Sequence, residues 1–186
     1  MSGGEICNNS ATHQYGVGGV EISGGEFTMT GGSIYDNRGG SDSVIIIEGL
    51  FTQRINGIDY ERTTIGKLSI AGDAVISASD SVWVHKNATV TVTGPLSENA
   101  GIYNISFGKT TGVVINATVA KITGEDLLSH FVLNKDGYSL TADGYTLVLS
   151  ATGAEPTPTP GEEIMVTSVA ELADVLEADV SGNVVT

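Results

Sequence analysis

Two groups of charged residues early in the chain have the composition that acid–base chemistry needs. They are Asp36, Arg38 and Asp42, and then Asp59, Glu61 and Arg62. Clustered carboxylates can act as general acid and general base or bind calcium, and basic groups on the same face assist them. Both groups lie in turn-like sequence, where Asp and Arg are ordinarily solvated. We therefore assign no catalytic residue.

The histidines and the single cysteine do not form a metal-binding pattern. His13, His85 and His130 are far apart in the sequence, without a His-x-x-x-His pair. Cys7 alone can form neither a disulfide framework nor a thiolate zinc site. A lone cysteine in a strand-like position is typically a small buried residue. The sequence therefore predicts no zinc site.

The acidic residues lack the spacing of a calcium-binding loop. An EF-hand loop needs acidic or amide groups at alternating positions, followed by Gly and a distant Glu. Asp73, Asp80 and Ser81 do not have that spacing, and nonapeptide calcium repeats are absent. We expect no cofactor, and a structural Ca²⁺ ion at a loop is the one metal that the acidic composition would suit.

Residues 81–87, with the sequence SVWVHKN, contain the candidate ligand-binding residues. If Val82 and Val84 face inward from a strand, then Trp83 and His85 face outward together. An exposed tryptophan on a flat sheet can stack on a sugar ring. The alternative is that Trp83 packs under a loop or a neighbouring module. Trp83 and His85 are thus the candidate ligand-binding residues, and both interpretations of Trp83 remain open at this point.

The overall composition favours short strands and an acidic surface. The 186 residues include 25 glycines, and 22 Asp and Glu outnumber 8 Lys and Arg, which gives a formal net charge of −14. An acidic surface repels nucleic-acid phosphates and anionic lipid, so we expect neither as a partner. No apolar run approaches the ~18 residues that span a bilayer, so no membrane insertion is expected within this segment.

A repeat at a spacing of 28 residues indicates how the strands are arranged. Five residues of the first copy recur in the second: Met1, Gly3, Gly4, Ile6 and Asn9 return as Met29, Gly31, Gly32, Ile34 and Asn37. Repeats of about 20–50 residues are typical of stacked units. Because the first copy starts inside the pattern, we expect the chain to be truncated at its N-terminal end.

The interior of one repeat predicts three short strands separated by corners. Strand-like tripeptides occur at 20–22, 27–29 and 33–35, with glycine pairs between them that permit sharp corners. Residues suited to a recurring left-handed corner are Asn8, Asn9, Asp36 and Asn37. Three strands per unit with corners between them describe one coil of a parallel β-helix.

In such a coil, like residues stack on like. We expect Ile6 to lie over Ile34, and Asn9 over Asn37, where stacked asparagines can pass side-chain hydrogen bonds along the column. Alternating apolar pairs continue the rhythm at Leu68 and Ile70, Ala74 and Ile76, Val82 and Val84, and Val90 and Val92. Residues 51–65 interrupt this rhythm, and we expect them to leave the coil.

Two segments of this region resemble a known class of protein. FTMTGGSIYDN (27–37) and LSIAGDAVISASDSVWVHKNATVTVTGPL (68–96) resemble the right-handed, pectin-lyase-like β-helix repeats of large bacterial surface proteins of adhesin type. HFVLNKDGYSLTADGYTLVL (130–149) resembles the element that follows such coils. The resemblance covers roughly residues 1–150 and implies an all-β, right-handed, single-stranded parallel β-helix in an extracellular or cell-surface protein. It is informative about architecture rather than activity.

The second half of the chain is expected to close the coil. GEDLLSHF (124–131) has the spacing of one helical turn, and Asp136-Gly137 and Asp143-Gly144 favour hairpin turns of a β-meander. GAEPTPTPGEE (153–163) is typical of a stiff, extended linker. Ser168 and Glu171 have the spacing of a capping box at the start of a further helix.

These observations combine into one prediction of organisation and function. The predicted units are β-helix coils over 1–105, a β-rich end or meander over 106–150, a Thr-Pro linker over 151–163 and the truncated start of a further module over 164–186. We expect a non-catalytic structural or adhesive module of a secreted or cell-surface bacterial protein, with a glycan or a host or cell-surface protein as partner. The alternative is a fragment of a polysaccharide-active lyase or hydrolase.

Overall fold

The computed structural model describes residues 1–14, 16–40, 44–46, 48–119 and 122–153. Met1–Thr152 form one compact unit. The Thr-Pro linker and the capping signal at Ser168 and Glu171 fall almost entirely on residues 154–186, outside the described residues. The described chain is rich in strands and contains one short helix, which confirms the predicted all-β class.

The strands are short and follow one another closely along the chain. In order they are β1 (Ser2–Cys7), β2 (Val20–Ile22), β3 (Gly25–Met29), β4 (Gly31–Tyr35), β5 (Val44–Ile46), β6 (Glu48–Ile55), β7 (Ile58–Gly72), β8 (Val75–Ile76), β9 (Val82–Val84), β10 (Val90–Leu96), β11 (Gly101–Phe107), β12 (Gly112–Ala117), β13 (Phe131–Leu133), β14 (Tyr138–Asp143) and β15 (Thr146–Ala151). The helix α1 (Gly124–Leu128) lies between β12 and β13. The strand-like tripeptides at 20–22, 27–29 and 33–35 all lie in strands, as predicted.

The strands form two sheets built mainly from parallel pairs. One sheet has the order β1-β4-β8-β11-β9-β5-β2 with β13 beside β11, and the other has the order β14-β15-β12-β10-β7-β3 with β6 beside β7. Strand β11 pairs with β8 through its first half and with β9 through its second half. The parallel pairs therefore fall into three ladders: β1-β4-β8-β11-β13, β2-β5-β9-β11 and β3-β7-β10-β12.

The chain passes through these ladders in a constant order. It visits β1, β2 and β3, then β4, β5 and β7, then β8, β9 and β10, and then the two halves of β11 followed by β12. Ile6 pairs with Ile34 in the first ladder, as the 28-residue repeat predicts. Parallel pairing also continues past residue 105, the predicted end of the coils. Strand β12 pairs with β10, and β13 pairs with β11.

The predicted inward residues form the core. The alternating apolar residues of the ladders are almost completely buried: Ile34, Leu68, Ile70, Ala74, Ile76, Val82, Val84, Val90 and Val92. Burying one aliphatic side chain of this kind contributes about 1.5–3 kcal/mol, so the stacked rows are the main source of stability. The absence of a side chain at Gly31 allows β4 to approach β1 closely, because a Cβ on Gly31 would stand 2.8 Å from the backbone oxygen of Ser2.

A column of polar side chains runs along one corner of the ladders. Asn8 and Asp36 turn this corner with left-handed φ values of 57° and 54°. The next residue in each copy belongs to the column. The side-chain nitrogen of Asn9 donates to Oδ1 of Asn37 at 2.9 Å, which confirms the predicted asparagine stack. The backbone and side-chain nitrogens of Asn37 donate to the two carboxylate oxygens of Asp80 at 2.8 and 2.7 Å. Asp80 is fully buried, and its place in the column was not predicted.

The interruption at residues 51–65 is an antiparallel hairpin. Strand β6 pairs with the first half of β7 from Glu48 opposite Ile65 to Ile55 opposite Ile58. Asn56 and Gly57 form the turn with φ values of 54° and 83°, which is the Asn-Gly geometry favoured in two-residue hairpins. The second half of β7 joins the third ladder, so the predicted excursion is confirmed.

The C-terminal part of the unit departs from the predicted meander at one turn. The second turn is a hairpin, with Asp143 opposite Thr146, and β15 then pairs antiparallel with β12. The first turn, at Asp136-Gly137, is not a hairpin, so that prediction was wrong. Strand β13 instead pairs parallel with β11, because this register extends the ladder and buries Phe131, and β14 lies in the other sheet.

Candidate functional site

The predicted orientation of Trp83 and His85 is observed. Val82 and Val84 of β9 are fully buried, whereas Trp83 and His85 lie on the outer side and are partly exposed. Their ring centroids are 5.7 Å apart with an interplanar angle of 72°, an edge-to-face arrangement. The two rings therefore form one aromatic surface beside the end of β9.

Trp83 also packs against the adjacent turn of the chain. Trp83 pairs with Ser106 of β11, and a Cβ on Gly108 would be only 3.1 Å from the indole carbon Cζ2. The absence of a side chain at Gly108 allows the indole to lie against the backbone. One side of the ring system is thus supported by the protein, and the indole is still partly exposed.

Three lysines lie at or next to the backbone around Gly108. Lys86 is exposed, and its backbone nitrogen would be 3.1 Å from a Cβ on Gly108. The ammonium group of Lys135 donates to the backbone oxygens of Phe107 and Lys109 at 2.8 and 2.6 Å. The ammonium group of Lys109 donates to the backbone oxygen of Val113 at 2.8 Å. We call this surface the Trp83 corner, and it consists of Trp83, His85, Lys86, Gly108, Lys109 and Lys135.

The Trp83 corner contains several lysines, with Asp136 next to Lys135 in the chain and Glu48 two residues beyond Ile46, the partner of Val84. It holds three of the eight Lys and Arg residues, although the formal net charge of the chain is −14. Carbonyl oxygens accept hydrogen bonds from Lys109 and Lys135 and orient their ammonium groups. Lys135 also lies 4.3 Å from the ring centroid of Tyr138, which fixes its position further through a cation–π contact.

Sequence reasoning did not find the lysines of this corner. Lys86, Lys109 and Lys135 are 23 and 26 residues apart, and these unequal distances hide their correspondence. The ends of the strands show that the two positions correspond. Val84 of β9 pairs with Phe107 of β11, and Lys86 and Lys109 stand two residues beyond these paired residues. Aligning the strand ends, instead of searching for one fixed period, would have placed the two lysines side by side.

The other sequence candidates do not come together. Asp36 and Arg38 are exposed at a corner, and Asp42 lies outside the described residues. Asp59, Glu61 and Arg62 belong to the half of β7 that pairs with β6 and are not members of the three ladders. Asp73 is exposed, whereas Asp80 belongs to the buried column. Within the described ranges, no three His, Cys, Asp or Glu side chains are close enough to hold a metal ion.

Cys7 contributes to a small cluster at the first ladder. Cys7 is partly exposed and pairs with Tyr35, whose hydroxyl donates to Glu5 at 2.9 Å. Hydrogen bonds with the Cys7 thiol and then with the Glu5 carboxylate raise the pKa of Tyr35 above its usual value. The phenol is therefore held as a hydrogen-bond donor, and the cluster ties β1 to β4.

A cavity of about 470 Å³ lies beside the helix. Its walls are Pro95, Leu96, Val119, Ile122, Asp126, Leu127 and His130. The carboxylate of Asp126 accepts from the backbone nitrogen of Thr123 at 2.8 Å and from its hydroxyl at 2.7 Å, and these bonds lower the pKa of Asp126. Nδ1 of His130 lies 2.6 Å from the backbone oxygen of Ala100. Both polar groups of the cavity thus already hold the local structure together.

Comparison of the chain with protein-family models, with curated proteins and with solved structures finds no match. Among the residues described here, no helix has the length and apolar character needed to cross a membrane. The function is therefore argued from the geometry of the chain itself.

Proposed function

We propose that the three ladders are the faces of a right-handed parallel β-helix, and that this unit is a structural or adhesive module of a secreted or cell-surface bacterial protein. The observation that carries the proposal is the constant order in which the chain visits the three ladders, together with the buried rows that stack between successive visits. Such a solenoid extends a molecule in one direction and presents long, regular side faces.

The described contacts of the carboxylates support a structural role. Asp80 accepts from Asn37 inside the corner column, and Asp126 accepts from Thr123 at the start of α1. Glu26 accepts from Ser69 at 2.6 Å, between neighbouring strands of the third ladder. A general acid or nucleophile has to reach a substrate, whereas these groups join one part of the fold to another.

The Trp83 corner supports an adhesive role. An indole that lies against the Gly108 turn and is partly exposed provides a rigid apolar surface, and sugar rings have apolar faces that stack on such surfaces. Because the ring is already held by Gly108, binding costs little conformational entropy. We propose that Trp83 binds a saccharide by stacking, with His85 at the edge of the ligand.

Affinity electrophoresis tests the adhesive role. The protein is run through gels that contain soluble polysaccharides, including dextran, galactomannan and pectin. We expect retardation by at least one of them, and its loss in Trp83→Ala. Tyr145→Ala is the matched control, because Tyr145 is an exposed aromatic residue on the β14–β15 turn. Equal retardation of Trp83→Ala and the unchanged protein would place the binding surface elsewhere.

Product analysis on the same polysaccharides separates the module from the alternative, a lyase or hydrolase. Prolonged incubation followed by detection of unsaturated or reducing ends should give no signal above buffer. If the protein releases either product, and this activity remains with it through further purification, the enzymatic alternative replaces the adhesive proposal.

A further inference from the structure

We infer that Asn56, at the turn of the β6–β7 hairpin, is a site of spontaneous covalent modification. Its side-chain amide is lost as ammonia, and its link to Gly57 is converted to a mixture of aspartate and isoaspartate. Asn56 and Gly57 form the one Asn-Gly pair in the 186 residues. The inference is independent of the proposed adhesive role, because this turn belongs to none of the three ladders.

The reaction needs only these two residues and water. The backbone nitrogen of Gly57 attacks Cγ of Asn56, and a succinimide ring forms as the Cγ–Nδ2 bond breaks. Nδ2 takes the bonding electron pair and the proton of the Gly57 nitrogen and leaves as ammonia. Water then opens the ring. Attack of water at Cγ gives aspartate, whereas attack at the backbone carbonyl carbon of residue 56 gives isoaspartate, in which the chain runs through the side chain.

The first argument is the accessibility of the attacking nitrogen. Asn56 and Gly57 are both exposed, and their φ values of 54° and 83° define a two-residue turn closed by the pair of Ile55 and Ile58. The hydrogen bond that closes such a turn is donated by its fourth residue, Ile58, and does not use the nitrogen of Gly57. Because Gly57 has no side chain, nothing on its Cα hinders the approach of the amide carbon.

The second argument is that the fold protects other exposed asparagines at the same atom. Asn87 and Asn99 are also exposed, and each is followed by an alanine. The backbone nitrogen of Ala88 donates to the carbonyl oxygen three residues back at 2.9 Å, and the nitrogen of Ala100 does the same at 2.9 Å. A nitrogen held in this way has to break its hydrogen bond before it attacks, so these two sites react more slowly.

The third argument is the weakness of the hairpin near its turn. Among the described strands, β6 pairs with β7 alone, so the hairpin reaches its turn as a two-stranded ribbon. Such ribbons are marginally stable in water, and their ends open at little cost in free energy. The turn at Asn56 therefore leaves its resting geometry readily, and the amide carbon reaches the Gly57 nitrogen. Ala88 and Ala100, in contrast, are buried in the core region and stay in place.

The two products have different effects on the hairpin. Aspartate tolerates the left-handed backbone of residue 56, so it keeps the turn and adds one negative charge to a chain whose formal net charge is −14. Isoaspartate adds a carbon atom to the backbone, and a two-residue turn does not accept this extra length without a change of register. The turn therefore changes in charge and in shape as the molecule ages.

Ageing of the intact protein in mildly alkaline buffer tests the inference. Peptide mapping should find a gain of about 1 Da in the peptide that contains Asn56, and an isoaspartyl methyltransferase should label the same peptide. The mass gain is required, because the Asp-Gly pairs at 136–137 and 143–144 can form isoaspartate without it. Asn56→Gly keeps a favoured turn dipeptide and should abolish both signals. An Asn56 peptide that stays unchanged on ageing overturns the inference.

Ala100→Gly separates the effect of the fold from that of the dipeptide. It creates a second Asn-Gly pair in an exposed turn, where the attacking nitrogen donates to Ser97. In the folded variant we expect Asn56 to react roughly fivefold faster than Asn99, the factor that corresponds to one net hydrogen bond, and in urea we expect similar rates. Ala88→Gly creates the same pair at Asn87 and replaces this variant if it does not fold. Similar rates in the folded protein, or faster loss at the second site, refute the structural argument.

Discussion

Replacing Asp80 by asparagine tests whether its buried carboxylate completes the polar column. The two oxygens of Asp80 accept the backbone and side-chain N–H groups of Asn37 at 2.8 and 2.7 Å, and no part of the residue is exposed to solvent. An amide has only one oxygen. In Asp80→Asn, one of the two Asn37 donors must therefore face an NH₂ group that offers it no acceptor.

The cost follows from these two hydrogen bonds. A hydrogen bond to a charged group contributes about 1.5–3 kcal/mol and a neutral one about 1 kcal/mol, so losing one bond and neutralising the other costs about 3 kcal/mol. Release of the buried charge offsets part of this loss. We expect Asp80→Asn to lower the free energy of unfolding by about 2–3 kcal/mol. For a unit of this size, Tm falls by roughly 4–12 °C.

Urea denaturation, followed by far-UV circular dichroism and by Trp83 fluorescence, measures this change. The midpoint should fall with little change in the slope m, since the same surface becomes exposed on unfolding. Asp73→Asn is the control, because it removes the same charge from an exposed position. A difference of less than about 0.5 kcal/mol between the two variants, which is the range of ordinary surface substitutions, would refute the proposed hydrogen bonding.

Two further predictions concern the first ladder and the helix. Gly31→Ala should destabilise the protein by about 1–3 kcal/mol, because its Cβ would stand 2.8 Å from the Ser2 oxygen, whereas Gly3→Ala has open space and should be neutral within about 0.5 kcal/mol. Denaturation midpoints compare the pair, and equal midpoints would contradict the close approach. The carboxyl pKa of Asp126, measured by NMR titration, should lie below its ordinary value and rise in Thr123→Ala, because Thr123 stabilises the charged form. This contribution to stability is present at neutral pH and disappears as the pH falls through the lowered pKa, and an unchanged pKa in the variant would exclude the hydroxyl as a cause.

Short-range regularity is the part of the fold that could be predicted. The stacking of Ile6 with Ile34 and of Asn9 with Asn37 follows from one spacing of 28 residues, and both pairs occur. Inward and outward positions follow from the two-residue period of a strand. That period was sufficient to orient Trp83 outward from β9.

Long-range features were missed where an insertion or a change of direction altered the spacing. The hairpin of β6 and β7 separates Asn37 from Asp80 by 43 residues, so Asp80 could not be assigned to the column by period alone. An Asn-Gly turn at 56–57 was nevertheless visible in the sequence. The pairing of β13 with β11 was missed because Asp136-Gly137 favours a hairpin locally, and burial of Phe131 in the ladder outweighs that preference.

The candidate site was predictable only in its aromatic part. Trp83 and His85 are adjacent on one strand, so alternation was sufficient to place both on the outer side. The lysines come from three separate segments, and the carbonyls that hold Lys135 have no signature in the sequence. A cluster that depends on backbone acceptors becomes visible only when the strands are arranged in space.

The hairpin of β6 and β7 gives the molecule a natural position for variation. Its turn at Asn56 and Gly57 belongs to none of the three ladders, although the strand that carries it continues into the third ladder at residues 66–70. Lengthening a flexible loop costs only about 0.6 kcal/mol for each doubling of its length. Insertion of new peptide sequence at this turn therefore changes the exposed surface of the molecule. The register of the paired strands in the three ladders stays the same.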